Sequence, residues 1–158
     1  MTREILFRGK TKDGRWMYGD LVRRLVETTW QDILGEYQFA IAGTGEREKT
    51  VDFKNKRAEV ISCTTVDPAT VGQFTGLCDK DGKKIFEGDI LYKEGHWTFY
   101  VGYEMGAFRA IPLEPVQKHN WSHCTLGAFL RVGMGDYKGF KVIGNIHDTP
   151  ALVKEEAE

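Results

Sequence analysis

Residues 74–91 read FTGLCDKDGKKIFEGDIL, and a shorter version of the same phrase, FRGKTKDGRWMYGDLV, occupies residues 7–22. Both copies contain Phe-x-Gly, then Asp-Gly, then an apolar or aromatic pair, and then Gly-Asp followed by two aliphatic residues. Asp-Gly between half-apolar segments is a strong signal for a β-hairpin, because the turn needs a positive φ that these residues tolerate. The repeat therefore predicts two similar hairpins, with Asp13-Gly14 and Asp81-Gly82 at equivalent turns.

Size and composition indicate a folded protein rich in short strands. The 158 residues fit one domain or two small lobes that share a core, and 41% of them are hydrophobic. Glycine is abundant at 18 residues and proline scarce at 4, a balance suited to strands joined by tight turns. The net charge of -1 argues against a protein whose main role is to hold phosphate backbones. Residues 49–57 are the best candidate for a basic face.

A compact helical signature divides the chain after residue 71. Asp67 is an acidic N-cap, Pro68 takes the first helical position, and Gly72 ends the turn. Before it, residues 25–34 fit a strand or a helix equally well, and residues 43–49 are predicted as a mobile polar loop. Beyond it, strand candidates follow at regular spacing, which is typical of a small barrel or sandwich.

Features of the whole chain predict a cytoplasmic protein without a membrane segment. No apolar run reaches 18 residues, and Thr2-Arg3-Glu4 does not begin a secretory signal. The cysteines, at positions 63, 78 and 124, are odd in number and share no CxxC spacing, as expected in a reducing compartment. Residues 117–136 form a long Gly-rich excursion, and residues 154–158 form an acidic tail.

One cluster resembles a metal site. His119 and His123 are spaced to share a helical face, and Cys124 is a third possible ligand. A structural zinc site needs a fourth ligand, and a surface loop with an aromatic anchor is the more ordinary interpretation. We therefore predict no metal, no cofactor and no catalytic residue, and keep the region from His119 to Cys124 as a metal-site alternative.

Acidic residues in the second copy also invite a catalytic interpretation. Asp79, Asp81 and Glu87 do not match a calcium loop, because Lys83 and Lys84 stand where ligands are needed. The phrase Glu87-Gly88-Asp89 offers two carboxylates for acid and base chemistry, but no nucleophile is nearby. Gly19-Asp20 echoes part of it, so we predict a bend in both copies whose carboxylate accepts from local backbone donors.

A longer motif carries a family resemblance. Residues 66–77, VDPATVGQFTGL, continue into DKDGKKIFEGDI at 79–90, and the chain closes with VIGNIHDTP at 142–150. These phrases, with WMYGD at 16–20, resemble the YopX family of small phage and prophage proteins. The resemblance implies an α+β N-terminal lobe over residues 1–71 and an SH3-like β-barrel over residues 72–153, often in homo-oligomers. It carries no catalytic residue across.

The expected function is therefore non-catalytic: homo-oligomeric assembly, or binding of a protein or nucleic-acid partner. A nucleic-acid or transcription-associated binding module is the alternative, and a metal-dependent enzyme is the third. The residues of the expected structural signature are Gly9, Asp13, Gly14, Gly19, Asp20, Asp67, Pro68, Gly76, Asp81, Gly82, Glu87, Gly88, Asp89, Gly144 and Asn145.

Overall fold

The chain folds as two compact units. The computed structural model describes residues 4–25, 37–53, 56–95, 98–113, 126 and 139–150. One unit is Glu4–Gln73, and the other contains the chain from Phe74 onward. We call them the N-terminal unit and the C-terminal unit. The boundary between the units lies between Gln73 and Phe74, two residues after the boundary predicted from the sequence, between residues 71 and 72.

The N-terminal unit is an antiparallel sheet with the strand order β4-β3-β2-β1-β5. Its strands are β1 (Phe7–Lys10), β2 (Trp16–Leu25), β3 (Tyr37–Phe53), β4 (Lys56–Val66) and the first residues of β5 (Gly72–Cys78). A 3-10 turn, Pro68–Thr70, follows β4 and is the one helical element among the described residues of this unit.

The predicted α+β character of this lobe is wrong, because the described chain between its turns is extended. Strand β3 continues through the predicted loop at 43–49 and pairs with β4 almost to the tip of the hairpin. The ladder is irregular between Ala42 and Arg47 and again between Glu48 and Thr50, and the pairs that Arg47 and Glu48 form with β4 keep this segment in the strand. Leu25 ends β2. The rest of the undecided segment, 26–34, lies outside the described residues.

The C-terminal unit is also built from antiparallel strands. It contains the rest of β5, then β6 (Lys84–Phe86), β7 (Asp89–Tyr92), β8 (Phe99–Glu104), β9 (Ala107–Pro112) and β10 (Lys141–Asn145). The ladder order is β10-β7-β8-β9, and β5 pairs with β6. The buried core of this unit comprises Ile85, Leu91, Phe99, Val101, Ala110, Leu126, Phe140 and Val142.

The predicted SH3-like barrel is also wrong. Among the described strands no ladder joins β10 to β9, so this four-stranded sheet remains open. Strands β5 and β6 pair with each other outside that sheet. A closed barrel needs all of its strands in one sheet, and here they are divided between two. The described fold is therefore nearly all β, with two antiparallel sheets. Of the predicted excursion at 117–136, only Leu126 is among the described residues.

The first Asp-Gly pair lies in a three-residue hairpin loop. The N–H of Thr11 donates to the carbonyl of Arg15, and the N–H of Gly14 donates to the carbonyl of Thr11, both at 2.9 Å. Gly14 has a φ of 85°. A type I turn followed by a left-handed residue is the usual form of such a loop, and glycine is the residue that adopts this φ without strain.

The second Asp-Gly pair has the same geometry. Asp79 N–H donates to the carbonyl of Lys83 at 2.8 Å, and Gly82 N–H donates to the carbonyl of Asp79 at 3.1 Å. Gly82 has a φ of 81°. We call residues 11–15 the first turn and residues 79–83 the second turn. The repeated phrase thus encodes one turn twice, once in each unit.

Replacing Gly82 with valine tests this geometry. The added side chain meets no heavy atom within 4 Å at its Cβ, so the cost comes from the left-handed backbone alone. We expect Gly82→Val to lower the free energy of unfolding by about 1–3 kcal/mol in urea denaturation. Gly43→Val is the matched control, since Gly43 also has open space around its Cβ but lies in β3 without a positive φ. Equal effects of the two substitutions contradict the assignment.

Candidate functional site

Asp79 joins the second turn to strand β10. Its Oδ1 atom accepts hydrogen bonds from the backbone N–H groups of Asp81 and Lys83, each at 2.9 Å. Its Oδ2 atom accepts a third from the N–H of Val142, at 3.0 Å. Asp79 is also buried. The carboxylate therefore closes its own hairpin and holds a strand 63 residues away in sequence.

These bonds determine the ionisation of Asp79. Burial alone would raise its pKa, but the N–H donors of Val142, Lys83 and Asp81, with the charge of Lys83, outweigh burial and hold the pKa below the ordinary 3.8. Because the pKa falls on folding, the ionised carboxylate stabilises the fold above about pH 4. That contribution is lost as the pH falls through the folded-state pKa.

The first turn has Thr11 where the second has Asp79. The Thr11 hydroxyl donates to Asp13 Oδ1 and accepts from the N–H of Arg15 at 3.1 Å. Arg15 Nε donates to the other oxygen of Asp13 at 2.6 Å. The bonds from Thr11 and Arg15 hold the pKa of Asp13 below its ordinary value. The first turn thus satisfies the Thr11 hydroxyl and the Asp13 carboxylate locally, and its threonine has no second acceptor oxygen for a distant strand.

The phrase Glu87-Gly88-Asp89 forms the bend between β6 and β7. Asp89 is only 1% exposed, and its Oδ2 atom accepts from the N–H of Phe86 at 2.8 Å. Gly88 has a φ of 84°, and its N–H donates to the carbonyl of Val101 at 2.7 Å. The carboxylate at this bend serves the backbone, which is a structural use of an acidic residue.

Gly19-Asp20 does not form the matching bend, so the prediction of a turn in the first copy is wrong. Both residues lie inside β2, and Asp20 is exposed. A Cβ atom at Gly19 would lie 1.7 Å from the carbonyl oxygen of Ala42, so glycine allows two backbones to approach closely. In the first copy, the Gly19-Asp20 dipeptide therefore lies within a strand.

Two other signature glycines also lie in strands. Gly9 is in β1, and a Cβ there would lie 2.7 Å from a methyl group of Val66. Gly76 is in β5 with a φ of 85°. Beside it, the Thr75 hydroxyl donates to the carbonyl of Ile85 at 2.9 Å, which links β5 to β6. Glycine at position 9 allows close packing against Val66, and glycine at position 76 allows a left-handed backbone within β5.

The closing phrase of the chain ends strand β10 in a capped turn. Asn145 Oδ1 accepts from the N–H groups of His147 and Asp148, at 2.8 and 3.0 Å. Its Nδ2 donates to Asp148 at 2.6 Å. A Cβ atom at Gly144 would lie 2.6 Å from the hydroxyl of Thr149, so only glycine fits beside this turn.

The 3-10 turn attaches the end of β4 to the end of β1. The Asp67 side chain accepts from the N–H of Ala69 at 3.0 Å, and the N–H of Asp67 donates to the carbonyl of Lys10 at 2.8 Å. The N–H of Lys10 donates to the hydroxyl of Thr70 at 2.8 Å. The ends of β1 and β4 are therefore adjacent, although β2 and β3 separate them in the strand order.

An open groove lies beside this junction, entirely within the N-terminal unit. It has a volume of about 1120 Å³ and is formed by residues 10–13, 15, 38–39, 64–68 and 70. We call it the first-turn groove. Half-buried Phe39 and buried Val66 face each other in the β3–β4 register and provide apolar surface. The volume of the groove lies slightly above the roughly 300–1,000 Å³ typical of ligand pockets, and its lining is more polar than theirs.

Charged side chains of both signs line the first-turn groove. Lys10, Lys12 and Arg15 are cationic, and Asp13 and Asp67 are anionic. This cluster differs from the predicted basic face at residues 49–57, whose side chains lie outside the described set. The sequence signal for this cluster is the presence of three cationic residues in the six-residue stretch 10–15 of the first repeated phrase.

The metal-site alternative is not addressed by the described chain, because His119, His123 and Cys124 lie outside the described residues. Within the residues that are described, no group of three or more His, Cys, Asp or Glu side chains is arranged to hold a metal ion. Nor do the described segments contain a helix long and apolar enough to cross a membrane.

Comparisons with known proteins bear on family and fold. A family model described as YopX protein matches residues 7–154. The crystal structure of protein EF1440 from Enterococcus faecalis is similar, with a TM-score of 0.54 and 23% sequence identity, over 97% of this chain and 100% of that one. At this identity the likeness shows the fold alone. No curated protein matches the chain.

Replacing Asp79 with asparagine tests its role in the second turn. The amide nitrogen cannot accept a hydrogen bond, so at least one backbone N–H loses its partner. We expect Asp79→Asn to lower the free energy of unfolding by about 1–3 kcal/mol at pH 7. The difference from the unmodified protein should shrink as the pH falls from about 4 through the lower folded-state pKa of Asp79.

The control for that measurement is Asp81→Asn in the same turn. Asp81 is exposed, and its carboxylate contacts only the surface ammonium groups of Lys80 and Lys141 among the described residues. Surface ion pairs contribute little, so the urea midpoint should stay nearly unchanged. A pH-independent effect of Asp79→Asn, or an equal effect of both substitutions, contradicts the account.

Proposed function

Because this chain belongs to the YopX family, we propose that it is a non-catalytic phage- or prophage-type protein that assembles with copies of itself and binds a macromolecular partner. The observation that carries the proposal is that four acidic or amide side chains, three of them in the structural signature, hold backbone N–H groups. Asp67, Asp79, Asp89 and Asn145 each accept hydrogen bonds from backbone N–H groups. Carboxylates so engaged are poor candidates for proton transfer, which supports a binding role.

Exposed apolar side chains support assembly. The loop between β8 and β9 carries Met105, which is 84% exposed and has a φ of 51°. Beside it, the rings of Tyr103 and Phe108 pack edge to face with centroids 5.2 Å apart, and Tyr103 remains 54% exposed. Apolar surface grouped in this way is typical of contact surfaces between protein chains.

Nucleic-acid binding is the alternative, and the cations of the first-turn groove are the feature in its favour, although the carboxylates of the groove oppose it. Lys10, Lys12 and Arg15 would meet phosphates there, while Asp13 and Asp67 would repel them. Binding to phosphate backbones weakens steeply as salt concentration rises. A titration with DNA and RNA at two salt concentrations separates this alternative from assembly.

The assembly proposal predicts the mass of the protein in solution. We expect light scattering at micromolar concentration to give a multiple of the 18.0 kDa chain mass. Met105→Asp should shift the distribution toward the single chain, because a charge in an apolar contact is costly to bury. Lys141→Asp is the control, as an exposed residue of β10 away from that loop. A single 18.0 kDa species in all three samples refutes assembly.

A further inference from the structure

The first-turn groove has an unequal balance of hydrogen-bond donors and acceptors. The Asp13 carboxylate is bonded to Thr11 and Arg15, and the Asp67 carboxylate is bonded to the N–H of Ala69. Much of the acceptor capacity on the groove is therefore used locally, to hold the turns that form it.

Several donors on the same groove have no such use. Within the described part of the chain, the side chains of Lys12, Thr64 and Thr65 make no hydrogen bond and no ion pair. Lys12 and Thr65 are exposed, and Thr64 is half-buried. An ammonium group and two hydroxyls with unused donors fit a ligand rich in acceptors, and carboxylates are the acceptors that gain most from a cationic donor.

Strand β4 offers an extended ligand a backbone to pair with. Its ladder partner is β3, and no described strand forms a ladder on its other edge, although just beyond its end the N–H of Asp67 donates to the carbonyl of Lys10. Residues 64–66, at the end of this strand, line the groove. An extended peptide can add to such an edge through main-chain hydrogen bonds, while alternate side chains enter the site.

The charge pattern favours a peptide over a nucleic acid. A phosphate backbone brings a negative charge with every nucleotide and would place some of them against Asp13 and Asp67. A peptide with acidic residues at alternate positions can direct carboxylates to Lys12 and Thr65 and turn its apolar side chains toward Phe39 and Val66.

We propose that the first-turn groove binds an extended peptide segment in which acidic and apolar side chains alternate. The proposal rests on the binding role inferred above and specifies its partner class and its site. Lys12 and Thr65 donate hydrogen bonds to peptide carboxylates, Thr64 donates from the opposite face of the strand, and β4 supplies main-chain pairing.

The test measures fluorescence anisotropy of a labelled octapeptide of alternating glutamate and valine with the full chain. We expect saturable binding that weakens about tenfold in Lys12→Gln, because one charge-assisted hydrogen bond is lost. Lys80→Gln is a matched control, since Lys80 occupies the equivalent position of the second turn, outside the groove. It should bind like the unmodified protein. Both variants change exposed side chains, and equal urea midpoints verify their folding.

Four results overturn the proposal: no saturation up to about 1 mM peptide, equal binding of a lysine-valine peptide, unchanged binding by Lys12→Gln, or loss of binding by Lys80→Gln as well. Displacement of the peptide by oligothymidylate at equal concentration also overturns it, in favour of nucleic acid. Light scattering on the same samples separates this inference from assembly. An oligomer that binds no peptide refutes the groove assignment alone, whereas a peptide-binding single chain supports the groove and refutes assembly.

Discussion

The carboxylate of Asp79 is the constraint on which the C-terminal unit depends. It accepts three backbone N–H groups, two in its own turn and one from Val142. Next to it, the N–H of Lys80 donates to the carbonyl of Phe140 at 2.9 Å. Phe140 and Val142 belong to the buried core, so these bonds fix where the last strand meets that core. A buried carboxylate is tolerated there because its acceptor sites are filled by donors.

The two copies of the turn have diverged in use while keeping one backbone geometry. Thr11 closes the first turn and contacts no distant strand of the described chain, and Asp79 closes the second while holding β10. The first turn lies beside a groove with cationic donors. The carboxylates of Asp79 and Asp89 are then structural, and the binding function that we propose belongs to the groove beside the first turn.

The sequence alone predicts the turns well, because Asp-Gly requires a local backbone conformation that its neighbours hardly change. It does not predict the extended path of residues 43–49, since charged residues resemble a loop until a partner strand satisfies their backbone. Gly19-Asp20 repeats the letters of a bend but is held in β2 by its neighbouring strands. The role of Asp79 depends on Val142, and no local pattern reports a contact across that distance.

Amide hydrogen exchange at Val142 tests the central claim most directly, because the partner of this N–H is a side chain rather than a ladder carbonyl. At neutral pH we expect the Val142 amide to exchange as slowly as the paired amides of β7 and β8. In Asp79→Asn it should exchange much faster, while those amides keep most of their protection. Fast exchange at Val142 in the unmodified protein, or exchange that the substitution leaves unchanged, contradicts the account.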